Sequence, residues 1–224
     1  MPQFFVELSK EERTKRIDEL WAALKHQSRL PLPDGLIKQQ TEGTRIVVKD
    51  QPVIFRMATK TPVGQIDRAI NVGFPGGWNF TFDAASSQLR YAWKGNFIDA
   101  GPAWNGRGGN PVNAAGDSLV QLSNRFPIRI GNNEEPEVRF RGYRLVKKHP
   151  IFRYEVDGKS IEQRVDLTGE QLTQTFTVKP GADVRYLGDS KFRYTSEEGE
   201  WKNSELTVRR ADVVRFTVNL RLSR

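Results

Sequence analysis

The sequence contains no cysteine, only two histidines and only two methionines among its 224 residues. Without cysteine there is no disulfide framework, no thiolate zinc or iron–sulfur site, no cysteine nucleophile and no C-x-x-C-H segment for covalent haem. The two histidines, His26 and His149, are far apart in the chain, and neither has a second histidine at metal-ligand spacing. We therefore expect neither a metal nor a resident cofactor in this chain.

Long apolar runs are also missing. No segment approaches the roughly 18 consecutive apolar residues of a membrane-spanning helix. The first residues, MPQFFVELSKEE, lack the basic start, the apolar stretch and the small-residue cleavage site of a secretory signal. We expect no membrane span and no signal peptide in this chain.

Acidic residues are outnumbered by basic ones, with 27 Asp and Glu against 35 Lys and Arg, and the formal net charge is +8. Such an excess is typical of proteins that bind nucleic acid, anionic membranes or acidic partners. However, the basic residues are spread along the whole chain and form pairs such as Lys147-Lys148 instead of long blocks. Residues 139–144 alternate Arg with Phe or Tyr, which places the two types on opposite faces of a strand, whereas base stacking needs both on one face. The pattern favours solvated strand faces over nucleic-acid binding.

Residues 1–36 predict a helix followed by a proline-rich linker. Ser9 and Glu12 have the spacing of a capping box, in which each side chain accepts a hydrogen bond from the other residue's backbone amide. Apolar residues then recur on one face of the helix, at Ile17, Leu20, Trp21 and Leu24. Prolines within residues 30–35 end the helix. We expect the apolar face to pack against the remainder of the chain.

Residues 37–224 predict an all-β domain. The apolar period changes to two, as in strands with one dry and one wet face. The segments with this pattern are 45–49, 53–57, 69–74, 78–83, 88–93, 138–146, 151–156, 160–165, 172–179, 184–187, 191–195, 206–209 and 213–222. Asp157-Gly158 predicts a hairpin turn with positive φ. Short strands without intervening helices indicate an antiparallel sandwich or an open, barrel-like domain.

The alternation breaks between Ile98 and Arg125, where we expect a long loop. Loops longer than about 15 residues are uncommon inside a compact domain and are often functional. Within this loop, Gly106-Arg107-Gly108-Gly109 exposes a guanidinium on a flexible backbone. Arg107 then either binds a carboxylate, a phosphate or a vicinal diol, or ties the loop to the sheet.

Three tryptophans near this loop define a candidate ligand site. Aromatic rings stack on the C–H faces of sugars, while carboxylates, amides and guanidinium groups bind the hydroxyls. The candidate residues are Trp78, Trp93, Asp99, Trp104, Asn105 and Arg107. The competing interpretation is that the tryptophans are packed in the core.

Two carboxylates offer an alternative, catalytic interpretation. Asp83 and Asp99, together with Arg107, are candidates for acid–base chemistry on a glycosidic bond, if the carboxylates lie within several ångströms of each other. Asp83 precedes Ala84-Ala85 and is equally suited to capping a turn. The glycine-rich segment 73–77 leads into no helix, so we interpret it as a sharp turn and not as a phosphate-binding loop.

The N-terminal 35 residues resemble the end of a c-type cytochrome domain. The matching pattern is Met1-Pro2-Gln3-Phe4, then Leu8-Ser9-Lys10-Glu11-Glu12, then Ile17, Leu20 and Trp21. In that family the methionine of the Met-Pro segment is the distal haem ligand, and Met1 either corresponds to it or is only a start codon. Because C-x-x-C-H is absent, the resemblance implies no haem bound in the family's way by this chain alone.

Residues 52–109 resemble the extension that follows the cytochrome module in large secreted proteins, which are often joined to a sorbosone-dehydrogenase-like propeller. The matching segments are PVIFR at 52–56, INVGFPGG at 70–77, FD at 82–83, LRYAWKGNFID at 89–99 and WNGRGG at 104–109, with FRYEVDG at 152–158 as a further likeness. The resemblance implies a periplasmic or extracellular location and a cytochrome c or sugar-dehydrogenase domain as partner.

Three hypotheses follow from these observations. The first is a non-catalytic accessory or binding domain of an extracytoplasmic, cytochrome-linked redox system, with a carbohydrate as its ligand. The second is a carbohydrate-active enzyme that uses Asp83, Asp99 and Arg107. The third is a structural module that docks onto a neighbouring domain through aromatic and Arg residues.

Overall fold

The computed structural model describes residues 9, 11, 12, 14, 15, 17–19, 40–105, 109–169, 171–179, 182–209 and 214–222. The chain divides into two compact units, Met1–Lys38 and Gln39–Arg224. Strands dominate the described backbone, which confirms the predicted all-β class. In this part of the chain, no helix has the length and apolar character needed to cross a membrane.

The described residues of the first unit confirm the capping box. The amide of Ser9 donates to Glu12 Oε2 at 2.8 Å, and the amide of Glu12 donates to Ser9 Oγ at 3.2 Å. The Ser9 amide first, and the Ser9 side chain second, lower the pKa of the Glu12 carboxyl. Residues 11, 12, 14, 15 and 17–19 are helical, and the Ile17 side chain is exposed. Leu20, Trp21 and Leu24 lie outside the described residues, so the packing of the apolar face stays a prediction.

The described residues of the second unit form strands of 2 to 12 residues and one helical turn, Gly101–Trp104. The strands are β1 (Gln40–Glu42), β2 (Arg45–Val47), β3 (Val53–Arg56), β4 (Thr59–Thr61), β5 (Gly64–Ile66), β6 (Ala69–Phe74), β7 (Trp78–Asp83), β8 (Gln88–Asp99), β9 (Val112–Gln121), β10 (Ile128–Ile130), β11 (Val138–Val146), β12 (His149–Val156), β13 (Lys159–Thr168), β14 (Gln171–Val178), β15 (Val184–Leu187), β16 (Tyr194–Thr195), β17 (Glu200–Lys202), β18 (Glu205–Val208) and β19 (Val214–Arg221).

Three sheets form a half-barrel. The nine-stranded sheet has the order β3-β6-β7-β8-β9-β4-β5, with β2 also paired to β8 and β1 to β2. The six-stranded sheet has the order β11-β12-β13-β14-β19-β16, and the four-stranded sheet has the order β10-β15-β18-β17. All described strand pairs are antiparallel except β4 with β9, which is parallel. Strands β3 and β11 therefore lie at the edges of two different sheets.

Aromatic side chains fill the space between the nine-stranded and six-stranded sheets. Phe82 of β7 stacks on Phe152 of β12 with ring centroids 3.9 Å apart, and both side chains are 0% exposed. In the six-stranded sheet, Phe176 stacks on Phe216 at 5.0 Å. Burial of a Phe side chain contributes about 1.5–3 kcal/mol, so these inward-facing positions hold the layers together. The alternation in the sequence predicted this inward face because strand side chains point to opposite sides in turn.

The hairpin prediction is confirmed at Asp157-Gly158. Both residues have positive φ, 50° and 73°, and they join β12 to β13 as a two-residue loop. This is the geometry of a type I′ turn, whose twist matches that of the flanking strands.

The prediction of a long loop between Ile98 and Arg125 is wrong. Strand β8 continues to Asp99, and β9 pairs with it over Val112–Gln121. The pairing contains two irregularities, one at Ala92/Trp93 and one between Gly95 and Ile98. One irregularity places an extra residue in β9 and the other places one in β8, and only Val112 and Val120 of β9 are buried. The strand therefore has no regular period-two pattern of apolar residues.

Candidate functional site

A single helical turn presents Trp104 to solvent. The turn spans Gly101–Trp104, with Pro102 in its first turn, where the missing amide hydrogen costs nothing. The amides of Ala103 and Trp104 both donate to Ala100 O at 3.0 Å, and the amide of Asn105 donates to Gly101 O at 2.9 Å. These backbone bonds fix the position from which the indole projects.

Asp99 anchors the start of this turn. Its Oδ1 accepts hydrogen bonds from the Gly101 amide at 2.9 Å and from Thr44 Oγ1 at 2.7 Å. The Gly101 amide first, and the Thr44 hydroxyl second, lower the pKa of the Asp99 carboxyl. Asp99 is therefore an ionised positioning residue, because Oδ1 is already engaged in holding the turn.

The Trp104 side chain is 48% exposed, and Asn105 beside it is also exposed. A half-exposed indole on a fixed backbone loses little conformational entropy when a flat apolar surface stacks on it. We call Trp104 and Asn105 the Trp104 patch. Arg107, the remaining predicted member of this segment, lies outside the described residues.

Trp93 does not belong to a ligand surface. It is 0% exposed, and Nε1 donates to Asn96 O at 2.9 Å. Its ring is stacked against Tyr91 and Phe97, with centroids 5.4 and 6.2 Å away. The predicted role of Trp93 as a binding residue is therefore wrong, because no ring face is open to solvent.

Trp78 lies at the first position of β7 and is half-buried. Lys94 Nζ sits 3.6 Å from its ring centroid and also donates to Gly76 O at 2.6 Å. A cation over the indole face is a favourable contact that a stacking sugar must displace. Lys94 thus covers one face of the Trp78 ring, whereas the Trp104 ring is exposed to solvent and remains the candidate for ligand stacking.

Asp83 and Asp99 cannot act as a paired acid and base. Asp83 is paired with Gln88 at the first residue of β8, and Asp99 is the last of the 12 residues of that strand. At a rise of about 3.3 Å per residue, the two carboxylates are separated by on the order of 30 Å, whereas glycosidase pairs lie within about 10 Å. The geometry contradicts the predicted catalytic pair.

Asp83 instead caps the β7–β8 turn, as its sequence position also predicted. Oδ1 accepts a hydrogen bond from the Ala85 amide at 2.9 Å, and Oδ2 accepts one from Ser86 Oγ at 2.6 Å. Such side-chain bonds to the residues that follow are characteristic of Asp in turns. The glycine-rich segment 73–77 is likewise a turn, closed by a bond from the Gly77 amide to Phe74 O at 3.2 Å.

His149 begins β12 and is half-buried beside Phe74 and Asp166. Burial, followed by the nearby Arg164 charge, lowers the pKa of its imidazole. Among the residues that the structure describes, no cluster of His, Asp or Glu has the arrangement of a metal site.

Sequence reasoning missed a second feature, a cleft lined by Arg56, Arg68 and Arg139. These arginines come from distant parts of the chain, and each resembles an ordinary solvated strand or turn residue. No local spacing relates them, so the signal exists only in the folded chain.

Comparison with protein-family models, with curated proteins and with solved structures found no match to this chain.

The role of Asp99 can be tested by pH-dependent stability. A carboxyl with a lowered folded-state pKa stabilises the fold above its unfolded pKa, and this contribution is lost as the pH falls through the folded pKa. We expect Asp99→Asn to lower the free energy of unfolding by about 1 kcal/mol at pH 7. The deficit relative to wild type should shrink as the pH falls below about 4, where an unperturbed Asp carboxyl becomes protonated. Urea unfolding at several pH values measures the difference in the free energy of unfolding between wild type and Asp99→Asn. Substitution of the exposed Asp50 by Asn is the control. A difference that does not change with pH would contradict the role of an ionised Asp99 in holding the turn.

Proposed function

We propose that residues 37–224 form a ligand-binding domain that carries out no catalysis itself, and that a carbohydrate stacks on Trp104. The half-exposed indole on a turn fixed by backbone hydrogen bonds carries this proposal. The setting we propose is an extracytoplasmic redox system with a cytochrome c or sugar-dehydrogenase domain as partner. This setting is supported by the sequence resemblance of residues 1–35 and 52–109.

Stacking on Trp104 and hydrogen bonding by Asn105 are complementary. The apolar C–H face of a pyranose covers indole surface that is otherwise wet, which is favourable by about 25 cal/mol per Å². The side-chain amide of Asn105 offers both donors and an acceptor for sugar hydroxyls. Asn105 directly follows Trp104 in the chain and is also exposed to solvent. Arg107 stays a predicted contributor to the same surface.

The second candidate is a module that docks onto a neighbouring domain through the same indole. The observation that favours it is also the exposure of Trp104, because tryptophan is among the commonest anchors of protein interfaces. The two functions differ in what they bind, a saccharide in one case and a folded protein surface in the other.

Trp104→Ala separates these functions from a structural role. We expect saccharide affinity to fall by about tenfold or more, because the stacking surface is removed. We expect the free energy of unfolding to change by less than about 1 kcal/mol, because half of the side chain is already in water. Calorimetric titration with neutral and acidic oligosaccharides, alongside chemical unfolding, measures both quantities.

Trp201→Phe is the matched control for this variant, since Trp201 packs against Tyr194 with centroids 5.9 Å apart and retains an aromatic ring on substitution. It should leave saccharide affinity unchanged. Saturable binding of a separately expressed cytochrome or sugar-dehydrogenase domain, lost in Trp104→Ala, with no saccharide response would establish the docking function. Wild-type affinity for saccharide in Trp104→Ala would contradict the carbohydrate proposal.

A further inference from the structure

The half-barrel has a seam between the edge strands β3 and β11. Each pairs on only one side within the described residues, β3 with β6 and β11 with β12. Lys148, just after β11, donates a hydrogen bond from Nζ to Gln51, just before β3. At the opposite end of the seam, Arg56 and Phe140 line one cleft. Strands β3 and β11 therefore run in opposite directions along the seam. The Lys148–Gln51 hydrogen bond closes one end of the seam, and the cleft forms its other, open end.

The open end is a cleft of about 650 Å³. This volume lies in the range of small-molecule sites, about 300–1,000 Å³. Its apolar lining is contributed by both sheets and by the β7–β8 turn, namely Met57, Ala69, Ala84, Ala85, Val138 and Phe140. Phe140 is held in place by Phe82, with ring centroids 5.8 Å apart, so this wall is continuous with the core.

The polar lining is predominantly cationic. Arg56, Arg68 and Arg139 line the cleft with a single acidic residue, Asp67. Asp67 Oδ1 accepts a hydrogen bond from Gln65 Nε2 at 2.6 Å, and Arg139 forms an ion pair with Glu137 outside the lining. In the described part of the chain, neither Arg56 nor Arg68 forms an ion pair with an acidic residue.

Three arginines of the neighbouring sheet are paired instead. Arg141, Arg144 and Arg164 are each bound to a carboxylate at 2.7–2.9 Å. Their charges are neutralised within the fold, whereas in the described ranges no carboxylate pairs with the two cleft arginines, which lie beside an apolar wall. Planar guanidinium groups bind carboxylate and phosphate in a bidentate manner, and such bonds are stronger than neutral ones.

We propose that this cleft binds a small organic anion, with its carboxylate or phosphate group on Arg56 and Arg68 and its apolar part against Val138 and Phe140. This arginine cleft shares no lining residue with the Trp104 patch, and the proposal is independent of the carbohydrate function. Binding brings a negative charge to the seam where two sheet edges meet.

The test is calorimetric titration of the full chain and of its Trp104→Ala variant with trigalacturonate and with inorganic phosphate. The fully methyl-esterified trisaccharide is titrated into Trp104→Ala only, because the proposed carbohydrate surface of the wild type also takes neutral sugars. We expect saturable binding of trigalacturonate, of phosphate or of both, and none of the ester, which lacks the charges. The result with phosphate identifies which anion the guanidinium groups accept. The Arg56→Gln/Arg68→Gln variant should bind at least about tenfold more weakly, the loss of roughly one charge-assisted hydrogen bond.

Arg215→Gln is the matched control, because Arg215 is an exposed strand arginine of β19 that lines no part of the cleft. Its affinity should stay within about twofold of wild type, as expected for a distant surface charge. Trp104→Ala should retain anion binding, which separates this cleft from the carbohydrate surface. No saturable binding of either anion up to about 10 mM would overturn the proposal. Equal binding of the ester, or an equal loss in Arg215→Gln, would overturn it as well.

Discussion

Trp93→Ala is expected to lower the free energy of unfolding by about 3–5 kcal/mol, the usual cost of truncating a buried Trp or Phe. The indole is 0% exposed and stacks against Tyr91 and Phe97. It belongs to a buried cluster separate from the main core, which we call the second core cluster: Ile46, Tyr91, Trp93, Phe97, Ile98, Ala100, Ala103 and Val112. Its removal leaves a cavity and leaves Asn96 O without the hydrogen bond from Nε1. Denaturant unfolding followed by far-UV circular dichroism measures the loss.

The comparison with Trp104→Ala makes this prediction specific. The same chemical change at position 104 should cost less than about 1 kcal/mol, because that ring is half in water. Trp93→Phe should fall between the two, since it keeps ring contacts but loses the indole hydrogen bond. Similar costs at positions 93 and 104 would contradict the division of the tryptophans into core and surface.

Gly116→Ala is expected to cost about 3 kcal/mol or more, at the upper end of overpacking effects. A Cβ at this position would lie 2.2 Å from Lys94 O and 2.7 Å from Trp93 Cδ1. Backbone and a buried ring cannot both move away, so the β8–β9 pairing must open at Gly95–Gly116. Reduced stability, together with faster amide exchange in β9, is the expected result.

Gly142→Ala separates steric contact from backbone conformation. Gly142 has φ +96° at the β11 bulge, and a Cβ there meets no atom within 4 Å. Gly142→Ala should lower the free energy of unfolding by only about 1 kcal/mol, from the strained backbone conformation alone. If Gly116→Ala proved as mild as Gly142→Ala, the close approach of β9 to Trp93 would be contradicted.

Much of the fold follows from local patterns. The period-two prediction places β6, β7, β11 and β15 at their observed bounds, and β15 has the expected single buried face, whereas β6 and β7 are buried on both faces. The capping box and the Asp157-Gly158 turn are predictable because their hydrogen bonds and φ angles depend on neighbouring residues alone. Strand β9 was missed because bulges in its pairing with β8 interrupt the alternation.

The candidate site was only partly predictable. Trp93 and Trp104 have similar sequence surroundings, and what separates them is whether β9 and the second core cluster cover the ring. Asp99 was identified as a site residue, yet its bond from Thr44 depends on the β2–β8 pairing, whereas its bond from the Gly101 amide is local. The arginine cleft joins residues 56, 68 and 139, a juxtaposition created by the approach of two sheet edges.

The most direct test of the carbohydrate proposal is an NMR titration of the indole N–H groups. The chain has five tryptophans and hence five indole signals, which single Trp→Phe variants assign. During titration with the oligosaccharide that binds in calorimetry, the Trp104 signal should shift in a saturable way, while the buried Trp93 signal stays in place. A shift at another indole with Trp104 unchanged, or no shift at any indole, would contradict carbohydrate binding at the Trp104 patch.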